Sequence, residues 1–446
     1  MNGEYSPDTI FALASASGRA GIAVFRISGP RAEDLFQRLC RCTVPDPWHA
    51  IRVRLHDPMT GAEIDDGLAL WFAAPRSFTG EDVVELSLHG GRANIAAILD
   101  LLSKFPGYRL AEPGEFTKRA FLNEKFDLTA AEGLADLVDA ETEAQRRQAR
   151  RQMAGDLGRL YEGWRGRLLR ALAHIEAEID FVEEDLPADV TSRLKAEISY
   201  LIKGIDSHLA DRHRGERLRE GVSIAIIGAP NVGKSSLLNA LAKRDVAIVA
   251  ARAGTTRDVI EVHLDLGGYP VILADTAGLR ESADDIEAEG IRRARARAQE
   301  ADLKLALFDG TASVMDQQTY DIIDENTIVV ISKWDLDVAK QPPDLVGLPV
   351  SAKTGAGMQE LLNCMENEVS KRFDMSFAPI ITRIRHRTAL IECRDALNRA
   401  LTLNNGHLEL LAEDLRLAAR ALGRITGRVG VEDMLDIIFQ EFCIGK

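Results

Sequence analysis

The sequence predicts a multidomain α+β and α/β chain: a mixed α/β segment, then an all-α domain interrupted by an inserted parallel α/β domain. Three observations predict it. Up to about residue 120, short apolar runs bounded by Gly or Pro mark strands at Gly21–Ile27, Leu68–Ala73 and Val83–Leu88, with a helix at Ala93–Lys104. From Leu128 to about Arg219, Pro is nearly absent, and apolar residues recur at three and four, as at Leu168, Leu169, Leu172, Ile175 and Ile179. Strand signals return at Val222–Ile227 and alternate with helical stretches to about Arg372, the rhythm of a parallel sheet covered on both faces.

From about Arg383 the pattern is helical again, with helices read at Leu401–Leu411, Glu413–Ile425 and Glu432–Ile438. Two helical segments around an α/β segment imply one helical domain with another inserted, since chain termini of a domain often lie close together. The boundaries are 1–122, 123–218, 219–376 and 377–446.

Composition narrows the class. The chain has 446 residues, 46% of them hydrophobic, enough for several cores. No stretch approaches the ~20 apolar residues of a membrane span. Met1–Thr9 is polar and acidic, so no secretory signal is visible and the expected compartment is the cytoplasm. The five cysteines, Cys40, Cys42, Cys364, Cys393 and Cys443, show neither metal-ligand spacing nor a disulfide framework. Net charge is -14, so nucleic acid would need a local basic patch. Arg146, Arg147, Arg150 and Arg151 form one candidate, and Arg292, Arg293, Arg295 and Arg297 another; a solvated helix face is the simpler reading of each.

The chemistry is concentrated in Gly228-Ala-Pro-Asn-Val-Gly233-Lys234-Ser235. It follows the strand Ser223–Ile227 and opens a helix at Ser236–Leu241, the context of a phosphate loop. Its glycines permit a turn whose N–H groups converge on phosphates, and the helix N-terminus adds its positive end. Lys234 brings a point charge to the β- and γ-phosphates, and Ser235 brings a hydroxyl to Mg²⁺.

Three further motifs, in order, specify GTP. Asp275-Thr276-Ala277-Gly278 ends the strand Val271–Ala274; Asp275 holds Mg²⁺ through water, and the Gly278 N–H senses the γ-phosphate. Thr255 and Thr256 lie between these motifs, where a switch loop carries a hydroxyl to Mg²⁺. Ser332-Lys333-Trp334-Asp335 follows the strand Thr327–Ile331, and the Asp335 carboxylate suits the N1–H and 2-amino group of guanine, a donor pair adenine lacks. Ser351-Ala352-Lys353 completes the base pocket. Ser332 stands where this motif usually has Asn, whose bracing role predicts reduced nucleotide affinity. Leu279 stands where Ras-like enzymes place a water-orienting Gln, so another group must hold the water.

With these motifs placed, the chain resembles, end to end, the bacterial MnmE (TrmE) family of tRNA-modification GTPases. The resemblance is carried by Phe78-Thr-Gly-Glu-Asp82, His89-Gly-Gly91, Pro113-Gly-Glu-Phe116, Arg119-Ala-Phe-Leu-Asn123, Gly254-Thr-Thr-Arg-Asp258, Asp275-Thr-Ala-Gly-Leu-Arg280 and the terminal Phe442-Cys-Ile-Gly-Lys446. It implies an N-terminal domain that binds folate and forms a homodimer, a helical domain ending in Cys-Ile-Gly-Lys, and an inserted Ras-like G domain. It further implies that, with the flavoprotein partner MnmG (GidA) in a heterotetramer or larger assembly, an aminomethyl or carboxymethylaminomethyl group is placed on C5 of the wobble uridine, position 34, of certain tRNAs. A reduced folate (5,10-methylenetetrahydrofolate or a 5-formyl analogue) would supply the carbon.

By the same resemblance the folate contacts are Arg26, Glu85, Lys125 and Lys446. The GTP contacts are Asn231, Val232, Gly233, Lys234, Ser235, Ser236, the loop Ala250, Ala251, Arg252, Ala253, Gly254, Thr255 and Thr256, then Asp275, Thr276, Ala277, Gly278, Ser332, Lys333, Asp335, Ser351, Ala352 and Lys353. Mg²⁺ falls to Ser235 and Thr256, and K⁺ to Asn231 with Ala250, Arg252 and Thr255. The K⁺ ion takes the place of an arginine finger. Glu287 matches the water-orienting glutamate. Cys443 is either a thiol acting near folate or uridine, or a positioning residue of a tail that docks there. The alternative expectation is a GTPase switch assisting ribosome assembly, which would lack the N-terminal block and the terminal motif.

Overall fold

The computed structural model describes residues 8–16, 18–180, 190–211, 213–244, 246–248, 261–275, 299–314, 316–340, 345–373, 379–403, 407–430, 432–440, 442 and 445. They form two compact units, each drawn from separate stretches of chain.

The first unit takes in residues 1–135, 152–185 and 406–446. Its sheet comprises β1 (Thr9–Leu13), β2 (Ile22–Ser28), β3 (Ala50–His56), β4 (Glu63–Phe72), β5 (Val83–His89) and β6 (Tyr108–Leu110), in spatial order β3-β4-β5-β2-β1-β6. All neighbours are antiparallel except β1 and β6. Alternation of side chains sends Ala23, Phe25 and Ile27 of β2, and Val84, Leu86 and Leu88 of β5, into one core. Ile98, Leu101 and Leu102 of the helix Arg92–Ser103 close that core. The same alternation turns Arg26 and Glu85 to the opposite face. The helices Asp156–Asp180 and Leu408–Thr426 pack together along apolar stripes that include Leu168, Leu172, Leu415 and Leu422.

The second unit takes in residues 136–151 and 186–405. Its sheet comprises β7 (Val222–Gly228), β8 (Ala247–Ile248), β9 (Glu261–Leu266), β10 (Tyr269–Asp275), β11 (Leu303–Asp309), β12 (Thr327–Ser332) and β13 (Leu348–Pro349), in spatial order β13-β12-β11-β7-β10-β9-β8. From β13 to β10 the pairs are parallel; β10, β9 and β8 pair antiparallel. Strands buried on both faces read as near-continuous apolar runs, as in Val222-Ser-Ile-Ala-Ile-Ile227. The helices Lys234–Ala242 and Met358–Phe373 cover the sheet. The helix Val190–Leu209 packs on Ile384–Thr402.

One expectation fails. Leu401–Leu411 is not a single helix: one helix ends at Thr402, Leu403 is extended (φ -72°, ψ 138°), and the next begins at Leu408. The sequence between the two helices, Asn404-Asn405-Gly406, is a turn signal and not a helical one.

Candidate nucleotide and folate sites

The phosphate loop leaves β7 at the centre of the second sheet, so the nucleotide motifs gather at the carboxyl ends of its parallel strands. Gly228 (φ 154°), Asn231 (φ 59°) and Gly233 (φ 110°) make the loop. A Cβ on Gly228 would meet the Leu307 carbonyl oxygen at 2.7 Å, so this position excludes any side chain. Lys234 is buried, and its ammonium donates to the carbonyls of Gly228 (2.7 Å) and Ala229 (2.9 Å) across the mouth of the loop. Gly233 caps the following helix, which starts at Lys234 rather than Ser236, without a side-chain bond. Val232, Ser235 and Ser236 follow from this loop into the first turn of the helix. The positive end of the helix suits phosphate.

Asp275 ends β10 beside Ile226 of β7, the strand that leads into the loop. At the end of β12, the Ser332 hydroxyl lies 2.6 Å from the Val232 carbonyl oxygen and 3.1 Å from that of Phe308. Having one proton, it donates to one at a time, and the Val232 contact ties the base motif to the phosphate loop. Serine thus makes the bracing bond that the sequence reading assigned to Asn. Lys333 (φ 57°) pairs with Asp309 at 2.5 Å. Asp335 accepts from the fully buried Ser351 hydroxyl at 2.7 Å, and this bond holds its carboxyl below the usual range. Ala352 and Lys353 continue the turn that Thr354 N–H closes onto Ser351 Oγ. Ala250, Ala251, Arg252, Ala253, Gly254, Thr255, Thr256, Thr276, Ala277, Gly278 and Glu287 lie outside the described residues.

On the first sheet, antiparallel register sets Arg26 opposite Glu85. The Arg26 Nε and Nη2 both reach Glu85 Oε1 at 2.8 Å. Its Nη1 donates to the Gly445 carbonyl at 3.3 Å, which brings the terminal motif to this face. A Cβ on Gly445 (φ 97°) would meet the Leu13 carbonyl oxygen at 2.4 Å, so the close seat on the β1–β2 connection requires glycine. Phe78 and Phe116 flank the guanidinium at 5.3 and 5.7 Å. Lys125 donates to the Pro75 carbonyl and adjoins Phe126, whose ring lies 6.0 Å from Phe78. Cys443 and Lys446 lie outside the described residues.

Periodicity alone did not reveal the support beneath this site. Buried Arg119 reaches Glu81 (3.1 Å) and Glu115 (3.0 Å), Glu81 accepts from Ser28, and Ser28 meets Thr79. Burial opposes ionisation of Glu115, but Arg109 and the Glu112 N–H hold its carboxyl below the usual range. The motifs around Phe78 and Phe116 therefore owe their glutamates and arginine to a buried ionic brace. The basic run on the helix Glu143–Met153 is partly neutralised, with Arg146 and Arg147 both paired to Glu143. Arg292, Arg293, Arg295 and Arg297 lie outside the described residues. No described helix is long and apolar enough to cross a membrane.

A family model described as "MnmE helical domain" matches residues 128–443. Another, "GTP-binding protein TrmE N-terminus", matches residues 9–125. The chain belongs to the MnmE family of tRNA modification GTPases. A "tRNA modification GTPase MnmE" of Paramagnetospirillum magneticum is 57% identical over 98% of this chain and 100% of its own length. The protein of the same name from Rhodospirillum rubrum is 53% identical over 98% and 99%. The "5-taurinomethyluridine-[tRNA] synthase subunit GTPB3, mitochondrial" of Danio rerio is 45% identical over 98% and 93%. Family membership accounts for one chain carrying both the nucleotide loop and the N-terminal face at Arg26.

Proposed function

We propose that this chain hydrolyses GTP to GDP and phosphate with K⁺ stimulation, as a homodimer, and acts with MnmG (GidA) to add an aminomethyl or carboxymethylaminomethyl group at C5 of the wobble uridine of certain tRNAs in the cytoplasm. The observation that supports it best is the meeting of Arg26, Glu85 and Gly445 on one sheet face, in a chain that also carries a complete phosphate loop. A GTPase switch for ribosome assembly has no use for that face.

The residues fit the groups the reading requires. Lys234 and the N-terminus of its helix neutralise the triphosphate, and the Asp335 carboxylate, positioned by the bond it accepts from Ser351, selects guanine. Mg²⁺, held by Ser235 and Thr256, would supply charge neutralisation at the phosphates. K⁺, held by Asn231 with Ala250, Arg252 and Thr255, would do the same between the β- and γ-phosphates. Glu287 orients the attacking water in place of the Gln that Leu279 replaces. At the N-terminal face, Glu85 accepts from the amino groups of the pterin, while Arg26, Lys125 and Lys446 meet its oxygen and the glutamate carboxylates. A reduced folate would supply the one-carbon unit there. Cys443 stands next in the tail as nucleophile or positioning residue.

The test is mass analysis of wobble nucleosides in tRNA from cells lacking this protein. Unmodified uridine at position 34, restored by the intact gene, supports the reading; unchanged modification refutes it. Purified protein should also turn over GTP faster in K⁺ than in Na⁺, and equal rates refute the K⁺ assignment.

A further inference from the structure

The hairpin β9–β10 joins the loop of Thr255 and Thr256 to the motif that starts at Asp275, so both ends of the nucleotide switch are its covalent continuations. Its pairing runs unbroken from Glu261↔Ala274 to Leu266↔Tyr269, and a two-residue turn at Gly267 (φ 62°) and Gly268 (φ 89°) closes it. Six paired residues at 3.3–3.4 Å each make a stiff lever about 20 Å long.

The tip of that lever does not end in solvent. The Gly268 carbonyl accepts from the Ala144 N–H at 3.2 Å, and Glu141 Oε2 lies 3.8 Å from His263 Nδ1. Ala144 sits in the first turn of the helix Glu143–Met153, where a backbone N–H has no partner within its own helix. Thr142 and Gln145 cap that turn reciprocally: Gln145 Oε1 accepts from the N–H groups of Glu141 (2.9 Å) and Thr142 (3.0 Å), and Thr142 Oγ1 accepts from Gln145 N–H. Gln145 Nε2 donates at 3.2 Å to the Arg219 carbonyl, three residues before β7 begins. One helix cap therefore holds both the hairpin that leads to the switches and the strand that leads to the phosphate loop.

We propose that the cap at Thr142–Gln145 is the positioning contact through which the nucleotide state of the hairpin is passed to the helical domain and so to the tRNA chemistry. The inference rests on the functional reading above and adds the point of transmission. A shift of the hairpin against β7 changes the distance between the Gly268 and Arg219 carbonyls, and the cap bonds both. Packed contacts of this kind shift between discrete arrangements instead of stretching.

Two substitutions cut the contact without touching nucleotide. Ala144→Pro removes the N–H that Gly268 accepts, in a first helical turn where proline is tolerated. Gln145→Glu keeps the capping oxygen but replaces the donor to Arg219 with an acceptor. For each variant, GTP turnover is measured on purified protein and wobble modification in cells that lack the native gene. Turnover should be unchanged while modification falls about tenfold, the size of an ordinary coupling between sites. Unchanged modification, or turnover falling in step with it, overturns the proposal. If Ala144→Pro fails to fold, Gln145→Glu carries the test alone. Hydrogen exchange separates this inference from the functional reading. The Ala144 amide of the native protein should differ in protection between the GDP state and a non-hydrolysable GTP analogue, whatever the tRNA assay shows. Equal protection overturns the coupling.

Discussion

Ser332 places its hydroxyl 2.6 Å from the carbonyl oxygen of Val232, joining the end of β12 to the phosphate loop. The bond fixes the turn that carries Asp335 relative to the phosphate loop.

Ser332→Ala leaves the Val232 carbonyl without this donor at a cost of about 1–2 kcal/mol. Affinity for GDP and GTP should fall roughly tenfold together, with the preference for guanine over adenine kept. Fluorescent-nucleotide titration reads both. Undiminished affinity would show that the loop holds its shape without the serine.

Asp335→Asn exchanges two acceptor oxygens for one acceptor and one donor. Guanine loses a partner for one of its two N–H groups, while xanthine, with a carbonyl in place of the 2-amino group, gains one. GTP binding should weaken at least about a hundredfold, and xanthosine triphosphate should become the better ligand. Competition between the two triphosphates decides it; a variant that still prefers GTP places the base elsewhere.

Glu85→Gln breaks the charged pair with Arg26 and removes the acceptor proposed for the pterin amino groups. Binding of 5-formyltetrahydrofolate, followed by calorimetry, should weaken by about tenfold to a hundredfold, as for hydrogen bonds to charged groups. GTP turnover should not change. Native folate affinity in this variant would move the folate site off the β2–β5 face.

His208 makes stability depend on pH. Burial is the main cause that lowers its pKa to about 4, with the charges of His386 and Arg387 adding to it and Asp211 opposing it. The unfolded chain protonates this imidazole near its ordinary value of about 6.5, so between 6.5 and 4 the unfolded state binds more protons. Stability should therefore fall as pH drops through this window, by about 2–3 kcal/mol. Urea midpoints at pH 7 and pH 5 measure the loss. His208→Gln should reduce this slope, and an unaltered slope would assign it to other groups.

Much of the nucleotide site was legible in the sequence because its parts are local. A phosphate loop needs glycines at fixed spacing between a buried strand and a helix, and Gly228 to Ser235 supply both the spacing and the context. Strands β2, β5, β7 and β12 were readable for a similar reason: burial on one or both faces imposes an apolar pattern on neighbouring residues. Strand β3 carries the same alternation, Ile51, Val53 and Leu55 between Arg52, Arg54 and His56, yet is absent from the sequence reading, while β6 has only three residues and is too short to show a pattern. The helix break after Thr402 is likewise signalled locally, by Asn404-Asn405-Gly406, which the reading of one helix over Leu401–Leu411 passes over.

By itself, then, the sequence determined a guanine-nucleotide loop and the order of strands and helices around it, since each depends on residues close along the chain. Only the tertiary structure decided that Ser332 braces Val232, that Arg26 meets both Glu85 and Gly445, and that Ala144 reaches Gly268. Those pairs are set by register and by packing between distant segments. No local periodicity carries that information, because the free energy that selects such contacts arises only when the sheets and helices have assembled.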